Sequence, residues 1–194
     1  MVVDIAALSH AAADLYAATG EPRAIAAAGL LREAAGNAAA PVTANAIPHL
    51  ASAVQAVASS RLRGLLERAV GSLPWLVTEG DGIPPSIAGR LASAEIVGPD
   101  GAIAASTLRL GLLLQWPDAD YPPHSHAAEE LYLTLSGTPL WQKDDAPYAA
   151  VAPGSFVHHA PFQRHAMKTG AEPLLALWVW LGDLSFASYR FHGR

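Results

Sequence analysis

The sequence contains no cysteine. That absence excludes a disulfide framework, a thiolate zinc site and a cysteine nucleophile together. It leaves the redox compartment open, because a cysteine-free chain survives in either environment. Charge is sparse: 15% of the 194 residues are Asp, Glu, Lys or Arg, the net charge is −5, and no run of Lys or Arg occurs. The electrostatic footprint of a nucleic-acid binder is therefore missing. Long apolar runs are missing too, since no stretch approaches the roughly eighteen uninterrupted residues that a membrane span needs. The opening MVVDIAALSHAAADLY has no basic leader and carries Asp4 and His10 within its apolar stretch. It reads poorly as a signal peptide, so the expected location is the cytoplasm.

Hydrophobic residues make up 52% of the chain, which rules out a disordered polymer, although much of that share is alanine. The length suits one domain over 1–194 with a core that needs no staples. Two textures meet near residue 72. Residues 1–71 read as a helical layer: Ile5, Leu8, Ala12 and Leu15 recur at steps of three and four. A second helix is expected from Pro22 to Gly36, and a third after Pro48 that runs unbroken to about Val70. This layer is expected to pack on the main domain and partly close its mouth, without supplying catalytic groups.

Residues 72–194 turn to short β-like runs punctuated by Gly, Pro and Asp. Strands are expected at 92–97, 106–115, 130–135, 140–142, 155–158, 165–168 and 174–181, a spacing typical of a sandwich or barrel. The fold class is thus mainly β with a helical N-terminal region.

Five of the eight histidines fall between His124 and His165. His124 and His126 are two apart, so on a strand their imidazoles would share a face. Glu130 follows four residues later, and His165 offers a further nitrogen after Gly154 and Pro161. Imidazoles with one carboxylate suit a single divalent transition metal, Fe, Mn, Zn, Co or Ni, with a position left open for substrate. Glu129, next to Glu130, is expected to point away into solvent. For His10, His49, His158, His159 and His192, surface or packing roles suffice, and at most one of the adjacent His158 and His159 can face the interior.

These residues resemble the cupin signatures. His124, His126, Glu130 and Gly137 match the intervals of the first, and Gly154, Pro161 and His165 those of the second. Two departures stand out: Asp118 replaces the opening Gly of the first, and Thr169 the closing Asn of the second. The resemblance implies a cupin jelly-roll barrel with His126, Glu130, His165 and His124 as metal ligands.

A finer resemblance is to the cupin-type dimethylsulfoniopropionate (DMSP) lyases, which carry H-x-H-x-x-x-E-x-Y, a further tyrosine upstream, a helical N-terminal region and a Trp-rich last strand. Tyr132, Tyr121 and the pair Trp178 and Trp180 match those features. The likeness covers roughly the last half of the chain, and the helical half only in texture. It implies a carbon–sulfur lyase acting on a small zwitterionic substrate, with Tyr132 as base, Tyr121 assisting, and Trp178 and Trp180 against the sulfonium. Core packing of the two tryptophans is an equal reading of the residues alone. The alternatives are an Fe(II) cupin dioxygenase acting on a small carboxylate, or a non-enzymatic small-molecule-binding cupin. No nucleic-acid or membrane partner is expected, and a homo-oligomer remains open.

Overall fold

The computed structural model describes residues 2–34 and 46–192. Among the described residues four helices come first: α1 (Val2–Ala18), α2 (Pro22–Ala34), α3 (Leu50–Gln55) and α4 (Ser60–Ala69). The end of the second expected helix, at Gly36, lies outside the described residues. The third expected helix is in fact two, α3 and α4. Ser59 ends the run by turning extended and accepting a hydrogen bond from Leu62 N at 3.3 Å, so it caps a new helix instead of continuing the old one.

Twelve strands follow: β1 (Trp75–Val77), β2 (Leu91–Gly98), β3 (Ile103–Ala104), β4 (Leu108–Gln115), β5 (Asp120–Ser125), β6 (Glu129–Ser136), β7 (Leu140–Lys143), β8 (Ala149–Ala150), β9 (Phe156–His159), β10 (His165–Lys168), β11 (Leu174–Leu181) and β12 (Arg190–Phe191). They form two sheets, ordered β1-β2-β4-β11-β6-β9, with β3 beside β2, and β12-β5-β10-β7-β8. All pairings are antiparallel except β2 with β3. Sequence-distant neighbours such as β4 with β11 mark a jelly roll.

The large sheet is covered on both faces, and alternation along its strands divides the core in two. Leu131, Leu133 and Leu135 of β6, with Leu175, Leu177 and Val179 of β11, join the helices in one cluster. Tyr132 of β6, with Ala176, Trp178 and Trp180 of β11, faces the other sheet in a second cluster that includes Tyr121, Trp141 and Met167. The helices therefore back the sheet. No described residue before Ser93 lines the interior pocket.

Polar ties fasten this backing. Tyr16 Oη, fully buried on α1, donates to Leu131 O at 2.9 Å. Arg23 of α2 donates through Nε to Glu129 Oε1 at 2.8 Å, and its Nη2 stands 2.6 Å from Oε2. Tyr16→Phe is expected to cost about 1 kcal/mol, the usual net worth of such a bond, and to lower the thermal midpoint by roughly 2–4 °C. Turnover should not change; turnover lost at an unchanged midpoint would show that the helical layer reaches the chemistry.

The two departures from the cupin signatures have local explanations. Asp118 has φ 52°, the left-handed region that Gly, Asn and Asp tolerate best. Thr169 bridges the same turn, its Oγ1 donating to Trp116 O at 2.5 Å and accepting from Ala119 N at 3.0 Å. Gly137 keeps its family residue for a steric reason: φ is 81°, and a Cβ there would meet Pro173 O at 2.3 Å.

Candidate active site

Three strands bring the candidate donors together. Glu130 is the second residue of β6, paired with Trp180 of β11 on one side and His159 of β9 on the other. His165 opens β10 opposite His124 of β5, and His126 follows directly after β5. All four are almost fully buried. His126 Nε2 stands 3.0 Å from Glu130 Oε2, and His165 Nε2 stands 3.1 Å from the same oxygen. Among the described residues, the donor atoms of His126, Glu130 and His165 form the group lying within 4.8 Å of one another. His124 lies outside that trio, its ring 4.1 Å from that of His165 and stacked on Tyr121 at 4.0 Å.

The imidazoles are oriented from behind. Nδ1 of His126 faces Ala128 O at 3.1 Å, that of His165 faces Gln163 O at 2.9 Å, and that of His124 faces Pro122 O at 2.8 Å. A carbonyl only accepts, so each Nδ1 carries the proton and each Nε2 presents its lone pair. Two lone pairs then converge on one carboxylate oxygen, and His165 Nε2 is buried without a hydrogen-bond partner. An arrangement of acceptors facing acceptors fits a cation among them, and the N2O donor set suits a divalent transition metal.

Burial alone would push the Glu130 carboxyl up. Where a proton takes the place of such a cation, the hydrogen bonds and charge it gives His126 and His165 outweigh burial and hold the carboxyl well below the usual carboxylate range. Its other oxygen, Oε1, accepts from Trp180 Nε1 at 2.7 Å, which fixes the plane of the carboxylate. Trp180 therefore does more than line the pocket, a role legible only once the pairing of β11 with β6 is known. Trp180→Phe is expected to keep an aromatic face, remove the Nε1–H donor and weaken metal affinity about 10- to 100-fold, as loss of a hydrogen bond behind a ligand does. A metal titration on the stripped protein measures this, and unchanged affinity would dismiss the assignment.

Other supporting residues went unpredicted. His159 faces inward, accepts from Trp141 Nε1 at 3.0 Å and stacks on His165 at 3.9 Å. Burial pushes it down to about 2, so it remains a neutral packing partner. Glu129 corrects the expectation of a solvent-facing side chain: it is 7% exposed, held by Arg23 and by His158 Nε2 at 2.8 Å. It does point away from Glu130, but toward the helices, which cover that face.

The donors open on a cavity of about 80 Å³ lined by Tyr121, Tyr132, Trp178, Trp180, Phe186 and Tyr189, together with His126, Glu130, Ser93 and Leu113. Gly111 gives Trp178 its place, since a Cβ there would stand 2.4 Å from the indole ring. Both expected tyrosines are in this cavity. Burial pushes the Tyr132 phenol well up, and the negative charge of Glu130 pushes it further. Tyr121 is raised by burial as well, although its hydrogen bond to Tyr189 opposes the rise. Phe186 and Tyr189, from the segment after β11, carry no motif and could not have been found by spacing.

The fold and this trio define a cupin with a donor set compatible with a metal ion. A cupin-2 domain from Rhodospirillum rubrum shares the fold, with a TM-score of 0.51 at 16% identity over 62% of this chain and 76% of that one. More specifically, the chain belongs to the dimethylsulfoniopropionate lyase family, whose model matches residues 23–176. DddL of Cereibacter sphaeroides is 36% identical over 148 residues, covering 74% of this chain and 60% of that protein. Dimethylsulfoniopropionate lyase DddQ of Ruegeria pomeroyi is 31% identical over 114 residues, covering 58% of this chain and 57% of that protein. The crystal structure of DddQ from that organism superposes with a TM-score of 0.66 and 27% identity, covering 79% of this chain and 80% of that one. The sequence matches thus span less than two thirds of either curated relative. No helix among the described residues is long and apolar enough to cross a membrane.

Proposed function

We propose that the protein is a metal-dependent lyase that cleaves DMSP to dimethyl sulfide and acrylate by base-catalysed β-elimination. The observation that carries this reading is the convergence of His126 Nε2 and His165 Nε2 on Glu130 Oε2 beside two pocket tyrosines. Family membership supports the same substrate. His126, Glu130 and His165 would hold one divalent ion, with His124 beside them as a weaker candidate. When bound, such an ion supplies positive charge that stabilises the carboxylate end of the substrate as it gains enolate character.

The chain's own groups do the rest. Tyr132 Oη takes the proton from the carbon next to the substrate carboxylate. The C–H electron pair becomes the new C=C bond, the C–S bond breaks, and its electrons leave on sulfur as neutral dimethyl sulfide. Acrylate and a protonated Tyr132 remain, and the proton passes to solvent before the next turn. Trp178, Trp180 and the other rings offer π faces to the sulfonium, whose charge, among the described residues lining this pocket, no acidic side chain but Glu130 could meet. Tyr121 orients the substrate.

Purified protein mixed with DMSP under anaerobic conditions is expected to release dimethyl sulfide into the headspace with stoichiometric acrylate. Activity that requires oxygen would instead support an Fe(II) dioxygenase acting on a small carboxylate. Ligand binding without any turnover would support a binding cupin.

A further inference from the structure

After β11 the described chain runs back across the pocket and forms β12 against β5. It is tied down along its length. Arg109 Nε donates to Leu184 O at 2.9 Å, and the same guanidinium lies 4.7 Å from the Phe186 ring centroid. Ala127 N, next to His126, donates to Ser188 Oγ at 2.9 Å. Arg190 and Phe191 pair with Ser125 and His124, and His192 N donates to Pro123 O at 2.7 Å. The residue this strap delivers to the pocket is Tyr189, which lies beyond residues 23–176, the stretch matched by the family.

The Tyr189 ring is stacked near His124 at 5.4 Å and His126 at 5.7 Å, with Phe191 at 5.3 Å on another side. Its hydroxyl is hydrogen-bonded to that of Tyr121. Among the described residues, neither hydroxyl has another hydrogen-bond partner. Two phenols carry two O–H hydrogens, and one of them lies between the oxygens. The other is free to be donated to a ligand, and whichever ring holds it has its direction set by the first bond. Tyr189 is anchored by the strap and by ring stacking, so it is the fixed member of the pair.

We infer that Tyr189 is a positioning residue that acts through Tyr121: its hydroxyl fixes the Tyr121 oxygen and turns the Tyr121 hydrogen toward the carboxylate of a bound small acid. The inference rests on the reading of this pocket as the DMSP site. Its test is built on binding as well as turnover, so that the two can fail separately.

The probe is acrylate, titrated calorimetrically into metal-loaded wild type, Tyr121→Phe, Tyr189→Phe and the double variant. Each single variant is expected to weaken acrylate about tenfold, the size of one hydrogen bond to a charged acceptor. The double variant should be within twofold of Tyr121→Phe alone, because residues acting as a unit do not add. With DMSP, Tyr189→Phe should divide its effect between kcat and KM as Tyr121→Phe does. Unchanged acrylate affinity in Tyr189→Phe, or a double variant weakened by the product of the single effects, would overturn the inference. So would loss of metal or a lowered thermal midpoint in Tyr189→Phe, which would show that the hydroxyl serves the fold. A protein that shows the expected binding pattern but releases no dimethyl sulfide would sink the lyase reading and leave the positioning role standing.

Discussion

Glu130→Ala, His126→Ala and His165→Ala are each expected to lose bound metal and to lower activity more than about 100-fold, beyond the range seen for residues that merely support a ligand. The reason is geometric. Oε2 of Glu130 is the atom that both Nε2 groups approach, at 3.0 and 3.1 Å. Removing the carboxylate leaves two buried lone pairs facing each other and the Trp180 N–H without its acceptor. Removing either imidazole leaves the carboxylate one partner in a site where burial already disfavours its charge. His124→Ala should be milder and retain a substantial share of the metal, because His124 stands outside the close trio. Elemental analysis of the purified variants decides. Full occupancy in all three variants would refute the donor assignment, and a His124 variant as empty as the others would add His124 to the set.

Much of this site was legible because cupin ligands are fixed by short intervals within and beside strands. Alternation places Glu130 and Tyr132 on one face of β6, and Trp178 and Trp180 on one face of β11, both readable from the sequence. What alternation does not give is which strands are neighbours. The bond from Trp180 to Glu130 depends on the register of β11 against β6, a pairing across fifty residues. Strand β5 itself was hidden by Pro122 and Pro123, which usually break a ladder. Here the β5–β10 register jumps from His124 opposite His165 to Tyr121 opposite Met167, so the two prolines sit at a bulge where missing N–H donors cost little, and Pro123 O still accepts from His192 N. The burial of Glu129 escaped for a similar reason. Period-two reasoning sends it to the outer face correctly, but whether helices cover that face is a question of tertiary packing. Tyr189 had no spacing to betray it at all, since it arrives on a strap positioned by Arg109 and by Ser188.

Tyr132→Phe is expected to lower turnover by about a hundred- to ten-thousand-fold, the usual cost of removing a general base. The substitution keeps the ring, which is 3% exposed and packed 4.9 Å from Trp141, so stability and metal content should stay near wild type. Its surroundings make the phenol a poor base by default: burial, Glu130 and Tyr121 all push its ionisation up. Positive charge held by His126, Glu130 and His165 is what would bring it down into a useful range. Two results follow from that sign. First, chelation should abolish activity even where substrate still binds, because Tyr132 then stays protonated. Second, in the metal-loaded protein activity should rise with pH through an apparent pKa below that of free tyrosine, because the working form is the deprotonated one. Tyr121→Phe should be milder if Tyr121 only orients the substrate, and as severe as Tyr132→Phe if it is the base instead. Deuterium entering the carbon next to the carboxylate during partial turnover would report the proton abstraction directly, provided that step reverses. A Tyr132→Phe protein with near wild-type turnover and intact metal would remove Tyr132 from the mechanism and transfer the proton to Tyr121, whose hydroxyl shares the cavity.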